Sequence, residues 1–137
     1  MVAMYNRLME EEPYQFIDKT IQRIYELTES EVKDVDHKLL VILPDLRRNL
    51  EIQRLTREYW RRGCRTKVVY MRINVDEEAK LRRGWERTES DSSPVECDLD
   101  NYHSWDLEFD NNLDGFEHID QYLDELVIPT LKTILLC

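Results

Sequence analysis

The stretch Leu39-Leu40-Val41-Ile42-Leu43-Pro44-Asp45-Leu46-Arg47-Arg48 decides which fold the sequence predicts. Its first five residues are apolar and lack an alternating polar face, which is typical of a strand buried on both sides. Such strands belong to parallel sheets covered by helices, so we expect an α/β fold with a parallel sheet and flanking helices. The run ends at an acid and two arginines, and α/β sheets bind ligands at the carboxyl ends of their strands. Guanidinium groups suit phosphate, so the stretch predicts a phosphate-handling site.

The residues that follow predict the rest of a βαβ unit. A helix is expected from about Glu51 to Arg62, because apolar residues recur there at helical spacing and Gly63 fits a C-terminal stop. A second strand is expected over 67–74, which is rich in residues that favour strands. Strand, helix and strand joined by short links form a right-handed unit with parallel strands. The predicted inward face of this helix consists of Ile52, Leu55, Tyr59 and Trp60.

Helices are also predicted on both sides of this unit. Residues 1–12 have helical spacing, and Pro13 separates them from a second, amphipathic helix and a polar loop over 28–38. The last helix is expected to bend or break at Pro129, which cannot donate a backbone hydrogen bond. The expected inner faces are Phe16, Ile17, Thr20, Ile21, Ile24 and Leu27 in the second helix, and Phe116, Ile119, Leu123, Leu126 and Val127 in the last.

Between these elements lies a polar region that we interpret as a lid. Residues 76–83 predict a short charged helix, and 84–101 predict a mobile flap, so the lid-like region spans about 76–101. Residues 105–110 alternate strictly between apolar and polar types, which predicts a half-exposed strand near a sheet edge. The 137 residues are enough for a single domain, 1–137, and too few for two ordinary ones.

Composition excludes several classes of function. The formal net charge of −10 disfavours non-specific nucleic-acid binding as the main activity. No apolar run is long enough for a membrane span, and no signal peptide is evident, so we expect no membrane partner. Three cysteines without metal-type spacing indicate a reducing compartment, the cytoplasm or alternatively the peroxisome. The histidines His37, His103 and His118 predict no metal site.

Basic residues concentrate in the middle of this acidic chain. Between Arg47 and Arg83 there are 12 Lys or Arg residues against 5 Asp or Glu residues. This local excess indicates an anion site. The alternative is that the arginines line solvated helix faces, that Asp45 caps a turn or helix, and that Arg83 pairs with acids on its own short helix.

Several of these motifs resemble animal-type phosphomevalonate kinase. The resemblance covers roughly Glu12 to the last helix, in register and with few gaps. Each motif is short, and the order and spacing of the set make the likeness fairly specific. Phage-type deoxynucleoside monophosphate kinases share a looser version. The matching residues are Asp45-Leu46-Arg47-Arg48, Ile52-Gln53, Tyr59, Arg83-Gly84-Trp85, Thr88, Asp91, Glu96-Cys97-Asp98-Leu99-Asp100-Asn101, Trp105-Asp106 and Asn111.

The resemblance implies phosphoryl transfer within a P-loop, NMP-kinase-like fold. The reaction would move the γ-phosphate of ATP, with Mg²⁺, onto mevalonate 5-phosphate, a step of isoprenoid and sterol synthesis. By residue-level carry-over, Arg47 and Arg48 would hold phosphates, and Arg83 would be the lid arginine that closes over them. Asn101 would bind the nucleotide or order the lid. Asp45, the catalytic candidate, would lie near Mg²⁺ or orient the arginines.

Two departures from the family pattern set limits on this expectation. The chain contains no Gly-x-x-x-x-Gly-Lys-Ser/Thr loop, because its only glycines are Gly63, Gly84 and Gly115. The family places that loop and its strand ahead of everything matched here, so the resemblance covers about the C-terminal two-thirds of the enzyme. In addition, Met9 and Asp18 stand where the family carries basic residues, and an aspartate there would repel a phosphate.

The missing strand has consequences for folding and activity. The family's first strand would lie between residues 39–43 and 67–73, so these would pair directly, pair with another chain, or leave edges open. We therefore expect weak stability, altered pairing or self-association through open sheet edges. We also expect a truncated and inactive kinase-like chain. A non-catalytic phosphate-binding or regulatory module and a relative of the phage-type nucleotide kinases are the alternatives, so whether the chain is an enzyme stays open.

Overall fold

The computed structural model describes residues 12–32, 38–61 and 66–136. The predicted first helix over 1–12, Met9, and the helix stop at Gly63 lie outside these ranges. The protein is a mixed α/β protein with helices and a small two-stranded parallel sheet. It divides into two compact units, of which the first takes residues up to Thr66 together with Glu89–Asn101. The second takes Lys67–Thr88 and the residues from Tyr102 onward. The expected single domain over 1–137 stays a prediction.

The first unit is built on two helices, α1 (Gln15–Glu31) and α2 (Asn49–Arg61). Their apolar residues recur at three and four, so each helix has one apolar stripe, and the two stripes pack together. The buried side chains are Ile17 and Ile21 of α1 and Ile52, Leu55 and Tyr59 of α2. The predicted helices are confirmed, although α1 extends to Glu31, into the region expected to be a loop.

Two residues expected on the inner faces of these helices lie outside. The Trp60 side chain is 84% exposed, because Tyr59 already occupies the inward position one residue earlier on α2. Phe16 is 41% exposed, next to the buried Ile17. Neighbouring residues on a helix point about 100° apart, so they rarely share one narrow contact face. These two expectations were wrong for that reason.

The predicted central strand over Leu39–Leu43 is absent. Residues 38–48 form no strand, and Leu40 and Ile42 are 61% and 76% exposed. The βαβ unit expected from this segment, α2 and the following strand was therefore wrong. A strand is stable only if its backbone groups pair with a neighbour, and no strand among the described residues pairs with this segment. An apolar composition by itself supplies no pairing partner.

The second unit contains the parallel sheet, formed by β1 (Met71–Asn74) and β2 (Leu107–Asp110). Met71 aligns with Leu107 and Asn74 with Asp110. Both strands are shorter than predicted, because just before them a backbone N–H bonds to the Asp106 side chain and not to a backbone carbonyl of the other strand. The Tyr70 N–H donates to Asp106 Oδ2 at 2.7 Å, while the Asp106 N–H donates to Tyr70 O at 2.9 Å. The predicted alternation of β2 is confirmed, with Leu107 buried and its neighbour Glu108 exposed.

Short helices complete both units. In the second, α3 (Glu77–Arg82) confirms the predicted charged helix, and Asp76 caps it by accepting the Ala79 N–H at 2.7 Å. In the first, residues 89–101 hold a 3₁₀ turn (Glu89–Ser92) and α4 (Pro94–Cys97), so part of the expected flap is regular structure. Ser93 caps α4 by accepting the Glu96 N–H at 3.3 Å.

The C-terminal helical region does not break at Pro129, which was one of the two outcomes expected there, and a bend stays a prediction. Helix α5 (Glu117–Tyr122) passes into a π-helical turn (Leu123–Val127) and then α6 (Ile128–Leu136), which runs through the proline. The Ile128 N–H donates to Leu123 O, five residues back. Because Pro129 has no N–H, the ladder must change locally, and a wider turn achieves this without ending the helix. Among these described residues, no helix is both long and apolar enough to cross a bilayer.

The apolar face of the last helix packs less completely than the sequence predicts. Phe116 is 76% exposed and Leu126 is 43% exposed, so their expected inner positions were wrong. Tyr122 contacts the sheet directly. Its ring centroid lies 4.4 Å from that of Phe109, and its hydroxyl donates to Glu108 O at 3.0 Å. Burial raises the pKa of Tyr122, and the negative charge of Glu108 adds to that rise. A two-stranded sheet offers too small a surface to cover a long helix.

The free edges of the sheet predict concentration-dependent self-association. No third strand pairs with β1 or β2 within the described residues, and Ile73 on β1 is 55% exposed. Exposed apolar edge strands favour pairing with another chain, and a lysine on such a strand opposes it. We expect sedimentation analysis to show a species larger than the monomer, and Ile73→Lys to weaken its association about tenfold. Leu113→Lys, which adds the same charge outside the sheet, is the control, and a wild-type chain that stays monomeric throughout contradicts the prediction.

Candidate functional site

The candidate site lies at the amino end of α2, where the chain turns from Asp45 into the helix. Arg48 is the residue before the helix, and its carbonyl accepts the Glu51 N–H at 3.0 Å. Glu51 reaches back, and its Oε2 accepts the backbone N–H groups of Arg47 at 3.0 Å and Arg48 at 3.1 Å. This is the glutamate half of a capping box. The carboxylate is 7% exposed, so the backbone of both arginines is fixed by a buried acid.

A second acid caps the first residue of α2 from a distant part of the chain. The Asn49 N–H donates to Asp98 Oδ2 at 2.7 Å. The first N–H groups of a helix have no partner within it, and the helix dipole favours negative charge there. Asp98 therefore performs the capping that a serine or threonine before the helix would ordinarily perform, since Arg48 stands in that position.

The Arg47 guanidinium is held by two carboxylates. Its Nε donates to Asp45 Oδ1 at 2.7 Å, and its Nη1 donates to Glu96 Oε1 at 2.5 Å. The hydrogen bond to Asp45 is the largest cause that raises the pKa of Arg47; partial burial opposes it, and the charge of Glu96 adds to it. All three side chains are about half exposed, so the two ion pairs together contribute on the order of 1 kcal/mol or less.

Arg48 differs from Arg47 in how its side chain is satisfied. Its Nη1 atom is buried and has no hydrogen-bond partner among the described residues. A buried donor without an acceptor costs about 1–3 kcal/mol, so it marks a place where an acceptor would bind favourably. The site thus has one arginine neutralised by protein carboxylates and one with an unused buried donor.

A small cleft adjoins this site without containing its arginines. Its volume is about 190 Å³, less than the roughly 300 Å³ that drug-sized ligands need. Its polar side chains are Thr20, Asp45 and Glu51, and the rest of the wall is apolar. Two carboxylates would repel a phosphate, so the cleft itself is unsuited to an anion.

Asp18 stands where the resembled family carries a basic residue, and it has a structural role here. Arg54 Nε donates to Asp18 Oδ1 at 2.8 Å, and Arg54 Nη1 donates to Glu58 Oε2 at 3.0 Å. Glu58 Oε1 in turn accepts the Tyr25 hydroxyl at 2.5 Å. Burial lowers the pKa of Arg54, but its bonds to Glu58 and Asp18 outweigh that and raise it. The network joins α1 to α2 and leaves Asp18 committed to it.

The remaining predicted site residues are Asn101 and Arg83. Asn101 is exposed in the turn that ends the segment Glu89–Asn101 of the first unit. We observe no hydrogen bond from its side chain to the described residues. Arg83 lies in the second unit, where its Nη2 donates to Leu113 O at 2.5 Å and its Nε lies 3.7 Å from Asp114 Oδ1. The role of Arg83 as a lid arginine stays a prediction. The role of Asn101 in binding the nucleotide or ordering the lid also stays a prediction.

The carboxyl ends of β1 and β2, where α/β folds bind ligands, are occupied by the protein's own hydrogen bonds. The Asn111 N–H donates to Asn74 O at 2.8 Å, and Asn112 Oδ1 accepts the Asp76 N–H at 2.8 Å. Arg82 Nη2 donates to Asn112 O at 2.7 Å. These groups hold the turn after β2 in place, so their polarity has a structural explanation.

Binding of ATP and Mg²⁺, which the resemblance implies, stays an expectation. No group of three or more His, Cys, Asp or Glu side chains in this part of the chain could hold a metal ion. Asp45, expected either to lie near Mg²⁺ or to orient the arginines, accepts from Arg47 Nε. Gly84 and Gly115 have φ angles of 83° and 86°, but Gly84 ends a helix and Gly115 leads into one of only six residues. Neither builds a phosphate cradle ahead of a long helix.

No protein-family model, curated protein or solved structure matches the chain. The resemblance to phosphomevalonate kinase therefore stands on the residues that carry it. In the structure one of them, Arg47, contacts two others, Asp45 and Glu96.

The contacts that Glu51, Glu96 and Asp98 make at the turn into α2 were not predicted from the sequence. Glu51 could have been found, because a glutamate three residues after the residue that precedes a helix is the capping-box spacing. Glu96 and Asp98 lie 49 residues from their partners Arg47 and Asn49, and no local pattern indicates such contacts.

Proposed function

We propose that this chain carries the acceptor-phosphate half of a phosphomevalonate kinase-like phosphotransferase. The observation that carries the proposal is Arg48 Nη1, a buried guanidinium nitrogen without an acceptor among the described residues, in the residue that follows Arg47 just before α2. The resemblance supplies the ligand class, a phosphorylated small molecule such as mevalonate 5-phosphate in the cytoplasm, within an NMP-kinase-like fold. Two arginines at a helix amino end suit a phosphate monoester, because guanidinium–phosphate hydrogen bonds are charge-assisted and the helix dipole adds to them.

The same proposal assigns no ATP chemistry to these 137 residues. They contain no Gly-x-x-x-x-Gly-Lys-Ser/Thr loop, so nothing in them would present the γ-phosphate to Arg47 and Arg48. A non-catalytic phosphate-binding module is favoured by this same observation and is the second candidate. Binding without turnover supports either candidate for the chain alone, whereas turnover requires the missing half.

The test is calorimetric titration of the chain with mevalonate 5-phosphate, with thymidine monophosphate and inorganic phosphate as comparisons. We expect saturable binding, and we expect Arg48→Ala to weaken it about tenfold to a hundredfold, because a charge-assisted bond in a buried position is lost. Arg23→Ala is the matched control, since Arg23 is a 67%-exposed arginine paired with Glu26 on α1. Circular dichroism confirms that each variant is folded.

Two results would overturn the proposal. No binding of any phosphate ligand at millimolar concentration removes the site. ADP release in the presence of ATP, Mg²⁺ and mevalonate 5-phosphate, falling on Arg47→Ala, would show that the nucleotide half is present after all. Tighter binding of thymidine monophosphate than of mevalonate 5-phosphate would favour a nucleotide kinase relative.

A further inference from the structure

The acids at residues 96 and 98 contact the two groups that a phosphate would use. Glu96 accepts from the Arg47 guanidinium at 2.5 Å, and Asp98 accepts from the Asn49 N–H at 2.7 Å. In each contact the acid lies 49 residues after its donor in the sequence. The two acids are two residues apart, and so are the two donor residues, Arg47 and Asn49. The matching offsets mean that the segment lies along the turn into α2 in a single register.

The charges of the two segments are complementary. Residues 89–101 contain five Asp or Glu residues and no Lys or Arg, whereas the stretch from Arg47 to Arg83 contains 12 Lys or Arg residues against 5 Asp or Glu residues. The α4 turn presents Glu96 directly, because Ser93 caps that turn through the Glu96 N–H and the side chain stays available. The contacts are also accessible to solvent, since the Arg47 and Glu96 side chains are 45% and 40% exposed. A solvated ion pair is weak enough to be displaced by a stronger anion.

We propose that residues 93–98 form an internal mimic of the phosphate ligand, which occupies Arg47 and the amino end of α2 until a phosphate monoester displaces it. The inference rests on the proposed function and adds to it an autoinhibitory contact at the same site. Arg48 is not used by the mimic, since its Nη1 has no hydrogen-bond partner among the described residues. A dianionic phosphate carries more charge than a carboxylate and offers three oxygens where each carboxylate offers two, so it competes well for the Arg47 guanidinium and the Asn49 N–H.

The test compares phosphate affinity in the wild-type chain and in variants that keep side-chain shape but remove charge. We expect Glu96→Gln to tighten binding of mevalonate 5-phosphate about threefold or more, and Glu96→Gln with Asp98→Asn about tenfold, since a competing anion is removed. Glu89→Gln removes the same charge from an exposed position of the same segment, and we expect it to change affinity less than twofold. Inorganic phosphate, titrated in parallel, separates recognition of the phosphate from recognition of the organic part.

Hydrogen exchange provides the second measurement. We expect amides of residues 93–101 to exchange faster when mevalonate 5-phosphate is bound to the wild-type chain, because the segment has left the site. Equal affinity of wild type, Glu96→Gln and the double variant, together with unchanged exchange, overturns the mimic and leaves the phosphate site standing. Absence of binding in every protein, the double variant included, overturns both. Binding by the double variant alone also overturns both, because the wild-type chain then binds no phosphate and no phosphate displaces the segment.

Discussion

Leu55→Ala is expected to lower the free energy of unfolding of the first unit by about 2–5 kcal/mol, the largest effect of any single substitution considered. Leu55 is the largest side chain that is fully buried among the described residues, with 2% of its surface exposed. Its removal costs both the transfer free energy of the lost carbons and the cavity that remains between α1 and α2. Small domains have little stability in excess of such a loss, so the unit is expected to be largely unfolded at 37 °C.

The measurement is urea unfolding followed by circular dichroism, together with hydrogen exchange of the α1 and α2 amides. Trp60→Ala on the same helix is the control, because Trp60 is 84% exposed and its removal leaves no cavity. We expect that control to change stability by less than about 0.5 kcal/mol. Equal effects of the two substitutions would show that α1 and α2 do not pack in solution as they do here.

Glu51→Ala is expected to cost about 1–3 kcal/mol and to release the backbone of both arginines. The substitution removes the acceptor for the N–H groups of Arg47 and Arg48 at the point where α2 begins. These donors lie where the helix supplies no other partner, so their loss is not compensated locally. We expect hydrogen exchange at residues 47 and 48 to rise and binding of mevalonate 5-phosphate to weaken along with it.

Two further substitutions, Glu51→Gln and Glu29→Ala, separate loss of the buried acceptor from a general effect of removing a negative charge. Glutamine keeps one acceptor and the shape of the buried side chain, so about half of the loss is expected. Glu29 is an exposed acid in the last turn of α1, and its removal reports any general effect of charge. If Glu51→Ala leaves exchange at residues 47 and 48 unchanged, the buried carboxylate does not hold the turn.

The local elements of this protein follow from sequence. The spacing of Ile17 and Ile21, and of Ile52 and Leu55, predicts both helices because a helix with one apolar stripe must bury it. The alternation over 105–110 predicts β2 for the equivalent reason in a strand, where successive side chains face opposite sides. Asp76 could likewise have been identified as a cap, since an aspartate before a charged helical run is a common helix start.

The candidate site could be predicted only in part. The arginines and Asp45 are adjacent in sequence, so their contact follows from proximity, whereas the partnership of Arg47 with Glu96 depends on how a distant turn folds back. The role of Asp18 was missed for the same reason, because its partner Arg54 lies 36 residues away on another helix. Charge pattern indicates that acids and arginines will meet, but not which pairs do.

By itself, then, the sequence determined the helices, the alternating strand and the positions of the arginines after an apolar run, because these depend on periodicity and on neighbours a few residues away. Only the tertiary structure decided that Leu39–Leu43 forms no strand and that β1 pairs with β2 instead. An apolar run favours burial, whereas a strand also needs a partner for its backbone hydrogen bonds. That partner is a property of the assembled fold, as is the pairing of Arg47 with Glu96.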